Sequence, residues 1–525
     1  MSNTAAVTMD AALAGRNTGW FADRGIIKVN LILCISLISS YATGYDASMM
    51  NGLQSLDEWN AFFHNPSAST LALLNAIQNV GQLVALPFCA IACDHFGRKP
   101  TLLLGAFILL VGVCLQAAAQ NNGMFIAARG ILGAGLAFNI TAAPLLIMEL
   151  AFPTQKGQLV SIYNALWSLG AIVAAWTTYG TFRILDSWAW RIPSLLQCLS
   201  SVIQLGLCFW IVESPRWLVS KDRLDEARDI IITYHANGNP NDPIVIVELE
   251  EIREALRLEK EAHNGTSYVS FAKTKGNRLR FMIILAVGFF SQWSGNGLIS
   301  YYLTLILDSI GYTSQDTQTL INGILTIWGL VTTFGFALLV NRFKRRTMFL
   351  ASTIGMLVTY IIWTALEATY ERQTNLGGTG DPAIAKAVLA MIFIYNAAFA
   401  IGWGPLQVTY CVEILPYNLR ARGLVLYNLF VALALIFNQY ANPIAVTAIK
   451  WKYYIVYDVW IFIELIVVYF LFVETQGSSL EEMAAIIDGE EARDTIIEGV
   501  ARATDMKIES VDEKRIETGV TNVNI

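Results

Sequence analysis

Charged side chains are scarce in this chain of 525 residues, because Asp, Glu, Lys and Arg make up 14% of it, against about 25% in ordinary soluble domains. Four histidines are present, and none is paired within an apolar run. The seven cysteines, an odd number, predict neither a disulfide framework nor a metal site. The sequence also lacks a nucleotide-binding loop and a nucleophile constellation. We therefore expect no enzyme, no cofactor, no metal ion and no nucleic-acid partner.

Apolar residues are correspondingly abundant, at 55% of the chain, and they gather into runs that reach the roughly 20 residues needed to cross a bilayer. The runs predict an all-α membrane protein with twelve transmembrane spans, numbered 1 to 12 in chain order: 27–50, 69–92, 101–120, 124–148, 158–180, 191–212, 281–307, 317–340, 347–367, 385–411, 423–448 and 452–473.

The loops predict the orientation of these spans. With the long loop after span 6 set aside, Lys and Arg are enriched in the loops on the same side as the two termini, which predicts that both termini are cytoplasmic. The predicted domains are an N-terminal tail (1–26), a six-helix bundle (27–212), a cytoplasmic central loop (213–280), a second six-helix bundle (281–473) and a C-terminal tail (474–525). Two charged helices are predicted in the central loop, at 223–235 and 245–263. They serve either as a latch between the halves or as a solvated linker.

A repeated set of motifs divides the chain into two halves of six spans. Three motif pairs recur in the same order: Asp94, Gly97, Arg98 and Lys99 after span 2 with Arg342, Arg345 and Arg346 after span 8; Glu149 and Lys156 after span 4 with Glu413, Arg420 and Arg422 after span 10; and Glu213 and Arg216 after span 6 with Glu474 after span 12. Internal repeats of this kind are typical of transporters.

Eight stretches carry a resemblance to a known family: GYDASMMNG at 44–52, DHFGRK at 94–99, RGILGAG at 129–135, YNALWSLG at 163–170, WRIPSLLQ at 190–197, ESPRWL at 213–218, SQWSGNGLISYYL at 291–303 and NQYANPIA at 438–445. Together they make the chain resemble the sugar porters of the major facilitator superfamily, and within them the fungal lactose permease and cellodextrin transporter branch. The resemblance implies two six-helix bundles that enclose a central sugar site, which opens alternately to each side of the membrane.

The chain departs from the common sugar-porter pattern in three places. Asn341 and Lys344 replace the usual Asp and Gly of the second loop motif, which predicts a weaker charge lock there. Ser291 stands where hexose porters have the first of two glutamines. The Gly-Pro segment of span 10 reads Gly-Trp-Gly-Pro at 402–405 and lacks the usual tryptophan. Since the last two changes fall at the implied sugar site, hexose specificity does not carry over.

Asp46 in span 1 and Arg129 in span 4 are the leading candidates for proton coupling. Ionisable groups inside spans are costly and usually mark ion paths or relays. The resemblance implies that protonation of the acid at Asp46 is linked to sugar binding. The alternative is a structural ion pair. Glu149 is assigned to a gate-locking charge network with Lys156 and Arg216, whereas Glu464 in span 12 has no assigned role.

A sugar site needs amides and hydroxyls for the sugar hydroxyl groups and aromatic rings for the apolar faces. The predicted substrate-binding residues are Asn164 and Trp167 in span 5, Gln292 and Asn296 in span 7, Trp403 and Gln407 in span 10, and Asn438 and Asn442 in span 11. A polar stripe in span 2, formed by Asn75, Gln78, Asn79 and Gln82, is a further candidate lining of the cavity. For any single amide, bonding between helices is the alternative.

These observations predict a plasma-membrane carrier that takes up a disaccharide or short oligosaccharide with a proton. A facilitator without proton coupling is the first alternative. A sugar sensor is the second, although such receptors generally append a long tail and 51 residues follow Glu474 here. A metabolite exporter is the third, but segment 160–180 lacks the proline of the antiporter motif.

Overall fold

The structure is a computed structural model that describes residues 13, 19–265, 268–340, 342–377, 380–476, 483 and 486–487. Most of the two predicted tails and Asn341 lie outside the described residues. Every regular element among the described residues is helical.

Helices form at all twelve predicted spans, which confirms the fold class. The spans are Arg24–Gln54, Ala68–Phe96, Arg98–Ala117, Asn122–Leu150, Lys156–Thr181, Trp188–Leu196 with Leu199–Gly206, Lys275–Trp293 with Asn296–Ser309, Gln315–Leu339, Arg345–Asn375, Pro382–Gly402 with Gln407–Ile414, Tyr417–Ile449 and Lys452–Leu471. Eleven of these segments are long and apolar enough to cross a membrane. Span 6 is the exception among the described residues, since it consists of two short helices.

Spans 6, 7 and 10 are each interrupted, which a hydropathy pattern does not predict. Span 7 breaks at Gly295, whose φ of +94° suits glycine and few other residues. Span 10 breaks before Pro405, which has no backbone N–H to continue the helical bonds. A break in a span frees backbone groups that must find other partners in the membrane.

The two halves are bundles with very close helix contacts. In the first half span 1 packs against span 5, and span 4 against spans 2 and 3. In the second half span 9 packs against spans 10 and 12, and span 11 against span 7. Spans 1 and 5 meet backbone to backbone, because a Cβ atom on Gly44 would lie 1.8 Å from the carbonyl oxygen of Trp167 and one on Gly170 would lie 2.1 Å from that of Tyr41.

Among the described residues, the halves meet mainly through span 2 with span 11, span 5 with span 8, and span 1 with the second segment of span 7, while span 1 also contacts span 8. We call the end of the bundle that carries the 213–280 segment the loop end, and the opposite end the far end. Span 1 therefore begins at the loop end and reaches the far end at Gln54.

The 213–280 segment contains the helices Pro215–Ser220, Leu224–Tyr234, Pro243–Gly265 and Ser270–Lys273. Two of them correspond to the charged helices predicted from the sequence. Buried Ile231 and Ile244 from these helices share one apolar cluster with Ile26 and Phe152 of the first half. The helices are thus packed against the loop end of the first half.

His235 ties this segment to the first half. Its buried ring places Nδ1 2.7 Å from a carboxyl oxygen of Glu248 and Nε2 3.1 Å from the carbonyl oxygen of Leu150, the last residue of span 4. One side chain therefore connects two loop helices to the end of a transmembrane span.

We expect His235→Leu to destabilise the protein by about 1–3 kcal/mol, because it removes both contacts and leaves the buried Glu248 carboxyl group without this partner. Thermal unfolding of the purified protein in detergent, followed by tryptophan fluorescence, measures the change. Glu250→Gln, which removes an exposed i,i+3 pair with Arg253, is the control and should change stability by less than about 0.5 kcal/mol. Equal stability of the two variants would show that His235 does not anchor the segment.

Candidate functional site

Asp46 lies at the centre of a buried polar cluster near the far end. It is about eight residues from the end of span 1, or roughly 12 Å along the helix, and has no exposed surface. Arg129 of span 4, also buried, places Nη1 3.3 Å from Oδ1 of Asp46. The structure therefore brings the two predicted coupling residues into one ion pair.

Two glutamines complete this cluster. Gln197, at the interruption of span 6, donates to Oδ1 of Asp46 over 2.6 Å. Gln78 of span 2 donates to the other carboxyl oxygen and accepts from Arg129. Arg129 also donates from Nε to the carbonyl oxygen of Leu74 over 2.9 Å. Donors from three spans thus satisfy the carboxylate, and the guanidinium group has acceptors besides Asp46.

Sequence reasoning had assigned Gln78 to the cavity lining and had missed Gln197. The available signal for Gln197 was its place at the end of the WRIPSLLQ stretch, just after a proline within an apolar run. Its contact with Asp46 spans 151 positions of the chain, which no local pattern encodes.

The far end is closed by hydrogen bonds between the halves. Asn51 of span 1 donates to the carbonyl oxygen of Ile299 over 3.3 Å and to Oδ1 of Asn322 over 3.2 Å, and it accepts from the backbone N–H of Leu303 over 3.1 Å. One amide of the first half thus binds spans 7 and 8 of the second.

Four further side-chain contacts strengthen this closure. They are Gln54 with the carbonyl oxygen of Tyr301 at 3.0 Å, Ser55 with Thr304 at 2.9 Å, Asn79 with Gln439 at 2.5 Å, and Gln315 with Glu58 at 3.4 Å. We call these residues, with Asn51 and its partners, the far gate. Sequence reasoning missed the span 1 members, because small polar residues near a span end carry no specific signal.

At the loop end, charged residues form two matching clusters, one in each half. In the first, Arg98 pairs with Glu149 at 2.9 Å, while the Glu213 carboxyl group accepts from the backbone N–H groups of Arg98 and Lys99. Burial raises the pKa of Glu213, and backbone donors, including that of Ser214, oppose this. Asp94 lies 3.8 Å from Arg98.

The second cluster repeats this arrangement. Arg345 pairs with Glu413 at 3.3 Å, and the Glu474 carboxyl group accepts from the backbone N–H groups of Arg345 and Arg346. The pair is longer than the 2.9 Å of its counterpart in the first half, and a weaker charge lock in the second half stays a prediction. The remaining members of the predicted gate motifs lie in or next to the loop-end turns of the spans, with Arg216 on the helix Pro215–Ser220: Gly97, Lys156, Arg216, Arg342, Arg420 and Arg422.

The predicted sugar-binding residues fall into three groups. Asn164 and Trp167 lie on an exposed face of span 5. Trp403 and Gln407 lie within the second half: the Trp403 ring is buried and donates to Thr353 over 3.1 Å, and Gln407 accepts from Tyr427 over 2.8 Å. A sugar contact by Trp403 stays a prediction, since this ring has no exposed surface here.

The third group, Gln292, Asn296, Asn438 and Asn442, is brought together at the break in span 7. The Asn296 side chain donates to the carbonyl oxygen of Ser291 over 3.1 Å, and Asn438 donates to that of Gln292 over 2.7 Å. Asn442 donates to Asn438 over 2.6 Å. The two amides at 296 and 438 therefore satisfy the carbonyl groups that the break releases.

Comparisons with known proteins agree with this architecture. A model of the family described as "Sugar (and other) transporter" matches residues 31–487. The MFS-type transporter criB of Aspergillus cristatus is 28% identical over 482 residues, which cover 91% of this chain and 97% of that protein. The high-affinity glucose transporter of Kluyveromyces lactis is 29% identical over 476 residues, which cover 87% of this chain and 85% of that protein.

Solved structures show the same fold. The inward open conformation of the xylose transporter XylE from E. coli superimposes with a TM-score of 0.71 at 21% identity, covering 87% of this chain and 100% of that chain. The proton:xylose symporter XylE bound to 6-bromo-6-deoxy-D-glucose gives a TM-score of 0.67 at 22% identity, covering 88% of this chain and 99% of that chain. The chain therefore belongs to the sugar transporter family of the major facilitator superfamily, and it is an integral membrane transporter, not an enzyme.

Proposed function

We propose that this transporter takes up a disaccharide or a short oligosaccharide, of the lactose or cellobiose type, together with a proton across the plasma membrane. The buried pair of Asp46 and Arg129 is the observation that carries the coupling. Ionisable groups at this depth are costly to keep and usually serve ion or proton pathways. A protein of the same fold that is named a proton:xylose symporter supports the same reading.

A proton on Asp46 would change the ion pair and the hydrogen bonds that connect span 1 to spans 2 and 4. As a carboxylate, Asp46 accepts from Arg129, Gln78 and Gln197. A neutral carboxyl group attracts the guanidinium group far less, whereas Arg129 keeps the carbonyl oxygen of Leu74 as a partner. Proton binding therefore loosens span 1 from span 4, and a conformation that favours the loosened form is coupled to the proton.

Alternating access follows from the far gate. With both termini in the cytoplasm, as the distribution of Lys and Arg predicts, the loop end faces the cytoplasm and the far end faces outward. The hydrogen bonds of Asn51, Gln54 and Ser55 then close the outer side. Uptake requires these bonds to break so that sugar enters from outside, and to form again before release inward.

The packing of Trp403 supports a substrate larger than a hexose. Its ring lies 5.0 Å from the ring of Phe349 and 6.2 Å from those of Phe290 and Phe472. We infer that an aromatic side chain packed inside the second half leaves room for substrate beside the amides of spans 7 and 11. A second sugar ring is the occupant that we propose for this space.

A hexose facilitator is the second candidate, and the similarity to the high-affinity glucose transporter of Kluyveromyces lactis favours it. A facilitator would keep the far gate and the alternating opening. It would use the Asp46–Arg129 pair only to hold spans 1 and 4 together.

We expect labelled lactose or cellobiose to enter transport-deficient cells that express this protein, and we expect a protonophore to abolish accumulation. The measurement is uptake of lactose, cellobiose and glucose with and without the protonophore. Cells that carry the empty vector are the control. Uptake of glucose alone that merely equilibrates across the membrane would establish the facilitator instead.

We expect Asp46→Asn to abolish sugar accumulation while sugar exchange across the membrane continues, because an amide cannot carry the proton, whereas its one remaining oxygen still accepts from Gln197. Accumulation and equilibrium exchange, measured side by side, separate the two effects. Asp57→Asn, at an exposed position at the start of the short helix Asp57–Phe62, is the matched control. Unchanged accumulation in Asp46→Asn would assign the pair a structural role.

We expect Asn51→Leu to open the far gate, since it removes three hydrogen bonds between the halves, each worth about 1 kcal/mol. Spin labels at Leu185 and Leu376, both highly exposed on far-end loops, measure the separation of the halves in a background without native cysteines. The distance should lengthen in Asn51→Leu. It should stay unchanged in Thr369→Val, whose hydroxyl group bonds only its own helix at Ala365; equal distances in the two variants would contradict the role of Asn51.

A further inference from the structure

Glu464 is a buried acid that neither the proposed coupling nor the predicted sugar site uses. It lies in span 12, about 12 residues or 18 Å from the start of the helix, and has no exposed surface. An acidic side chain at the centre of a span costs about 2.5–3.5 kcal/mol on insertion scales. Contacts within the protein must therefore compensate for this cost.

The carboxyl group of Glu464 contacts the hydroxyl group of Ser294 with both oxygens, at 2.9 and 3.1 Å. The same hydroxyl group also bonds the carbonyl oxygen of Phe290. A serine hydroxyl group has one proton to donate. The Ser294 hydroxyl group can form hydrogen bonds to Phe290 and to Glu464 at the same time if it donates to the carbonyl oxygen of Phe290 and accepts from a neutral Glu464 acid.

Ser294 is the residue immediately before the break in span 7. Its backbone carbonyl oxygen accepts from the Tyr395 hydroxyl group of span 10 over 2.6 Å. The next residue, Gly295, has the left-handed conformation that ends the first segment of the span. Ser294 is thus held by its side chain from span 12 and by its backbone from span 10, and the break is fixed on two sides.

The segment after the break takes part in four of the seven far-gate contacts described above. Asn296–Ser309 presents the carbonyl oxygen of Tyr301, the N–H of Leu303 and the hydroxyl group of Thr304 to span 1. The orientation of this segment depends on the angle at the break, because the regular helix stops at Trp293 and starts again at Asn296. A second departure from helical geometry, at Tyr302 (φ −137°, ψ 29°), lies within the segment and adds to the orientation of Leu303 and Thr304.

We propose that Glu464 is a positioning residue of the transport cycle, which fixes the break of span 7 through Ser294 and so directs the Asn296–Ser309 segment onto span 1. Glu464 touches neither the sugar nor the gate in this role. It acts through Ser294. This role of Glu464 requires only that the far gate opens and closes. It does not depend on proton coupling or on a preference for disaccharides.

The experiment measures the far-end distance between spin labels at Leu185 and Leu376 in three variants. Glu464→Leu and Ser294→Ala each remove the contact and should raise the fraction of molecules with an open far end about fivefold, the effect expected from one buried hydrogen bond. Glu464→Gln should behave as the wild type, because its carboxamide group donates to Ser294 as the neutral acid does. The double variant Ser294→Ala/Glu464→Leu should open no further than either single variant.

Asp458→Asn is the matched control. It changes another acid of span 12 that lies beside Thr364 of span 9 and not beside the break, and it should leave the distance unchanged. An open far end in Glu464→Gln equal to that in Glu464→Leu would overturn the proposal, as would additive effects of the two single changes. The distance measurement needs no sugar, so a failure of the proposed substrate does not affect it.

Equilibrium exchange of labelled glucose, lactose or cellobiose supplies a second readout. If Glu464 is a positioning residue, Glu464→Leu should lower the maximal exchange rate per transporter at the cell surface and change the KM by less than about twofold. Glu464→Gln should restore the rate. A rise in KM at unchanged maximal rate would instead make Glu464 part of the sugar site and overturn its role through Ser294.

Discussion

The absence of water in the hydrocarbon core is the constraint on which the rest of this structure depends. A helix that breaks there leaves carbonyl groups without partners, and each must be satisfied from within the protein. Span 7 breaks at Gly295, and side chains of spans 7, 10 and 11 meet the carbonyl groups of Ser291, Ser294 and Gln292. The break is therefore stabilised by specific side chains, and the first role of the polar residues around it is to bond the backbone carbonyl groups.

The two halves bury different kinds of polar groups. The first half buries a charge pair, Asp46 with Arg129, and surrounds it with glutamines from spans 2 and 6. The second half buries amides, tyrosines and acids around an interrupted helix, with Glu464 beside the break and Glu367 bonded to Ser309 at the end of the second segment. Under the proposed coupling the charge pair would respond to a proton, whereas the hydrogen-bonded break would respond to the angle between two helix segments. The halves thus hold different devices within one repeated fold.

The sequence predicts the spans and the loop-end motifs well, because length, apolarity and charge are local properties. Asp46 and Arg129 were also expected to form a pair, since both stand at positions where the resemblance to sugar porters implies an acid and its arginine. The contacts of Gln197 and Asn51 could not be predicted from the sequence, because their partners lie 151 and about 250 positions away in the chain and both are common polar residues. For Asn438 the pattern indicated a polar contact but could not distinguish a sugar from the carbonyl oxygen of Gln292.

The kinds of bond that hold each interface explain how such a molecule can move. The loop-end clusters within each half use charged partners, Arg98 with Glu149 and Arg345 with Glu413, and charge-assisted bonds are about twice as strong as neutral ones. The far gate joins the halves mainly through neutral amides, hydroxyl groups and backbone carbonyls, each contributing about 1 kcal/mol. A change of conformation that breaks the weaker set and keeps the stronger set leaves the loop-end clusters of each half intact. Under the proposed alternating access, the largest motion is then expected at the boundary between the halves, with smaller adjustments between spans 1 and 4 and at the break in span 7.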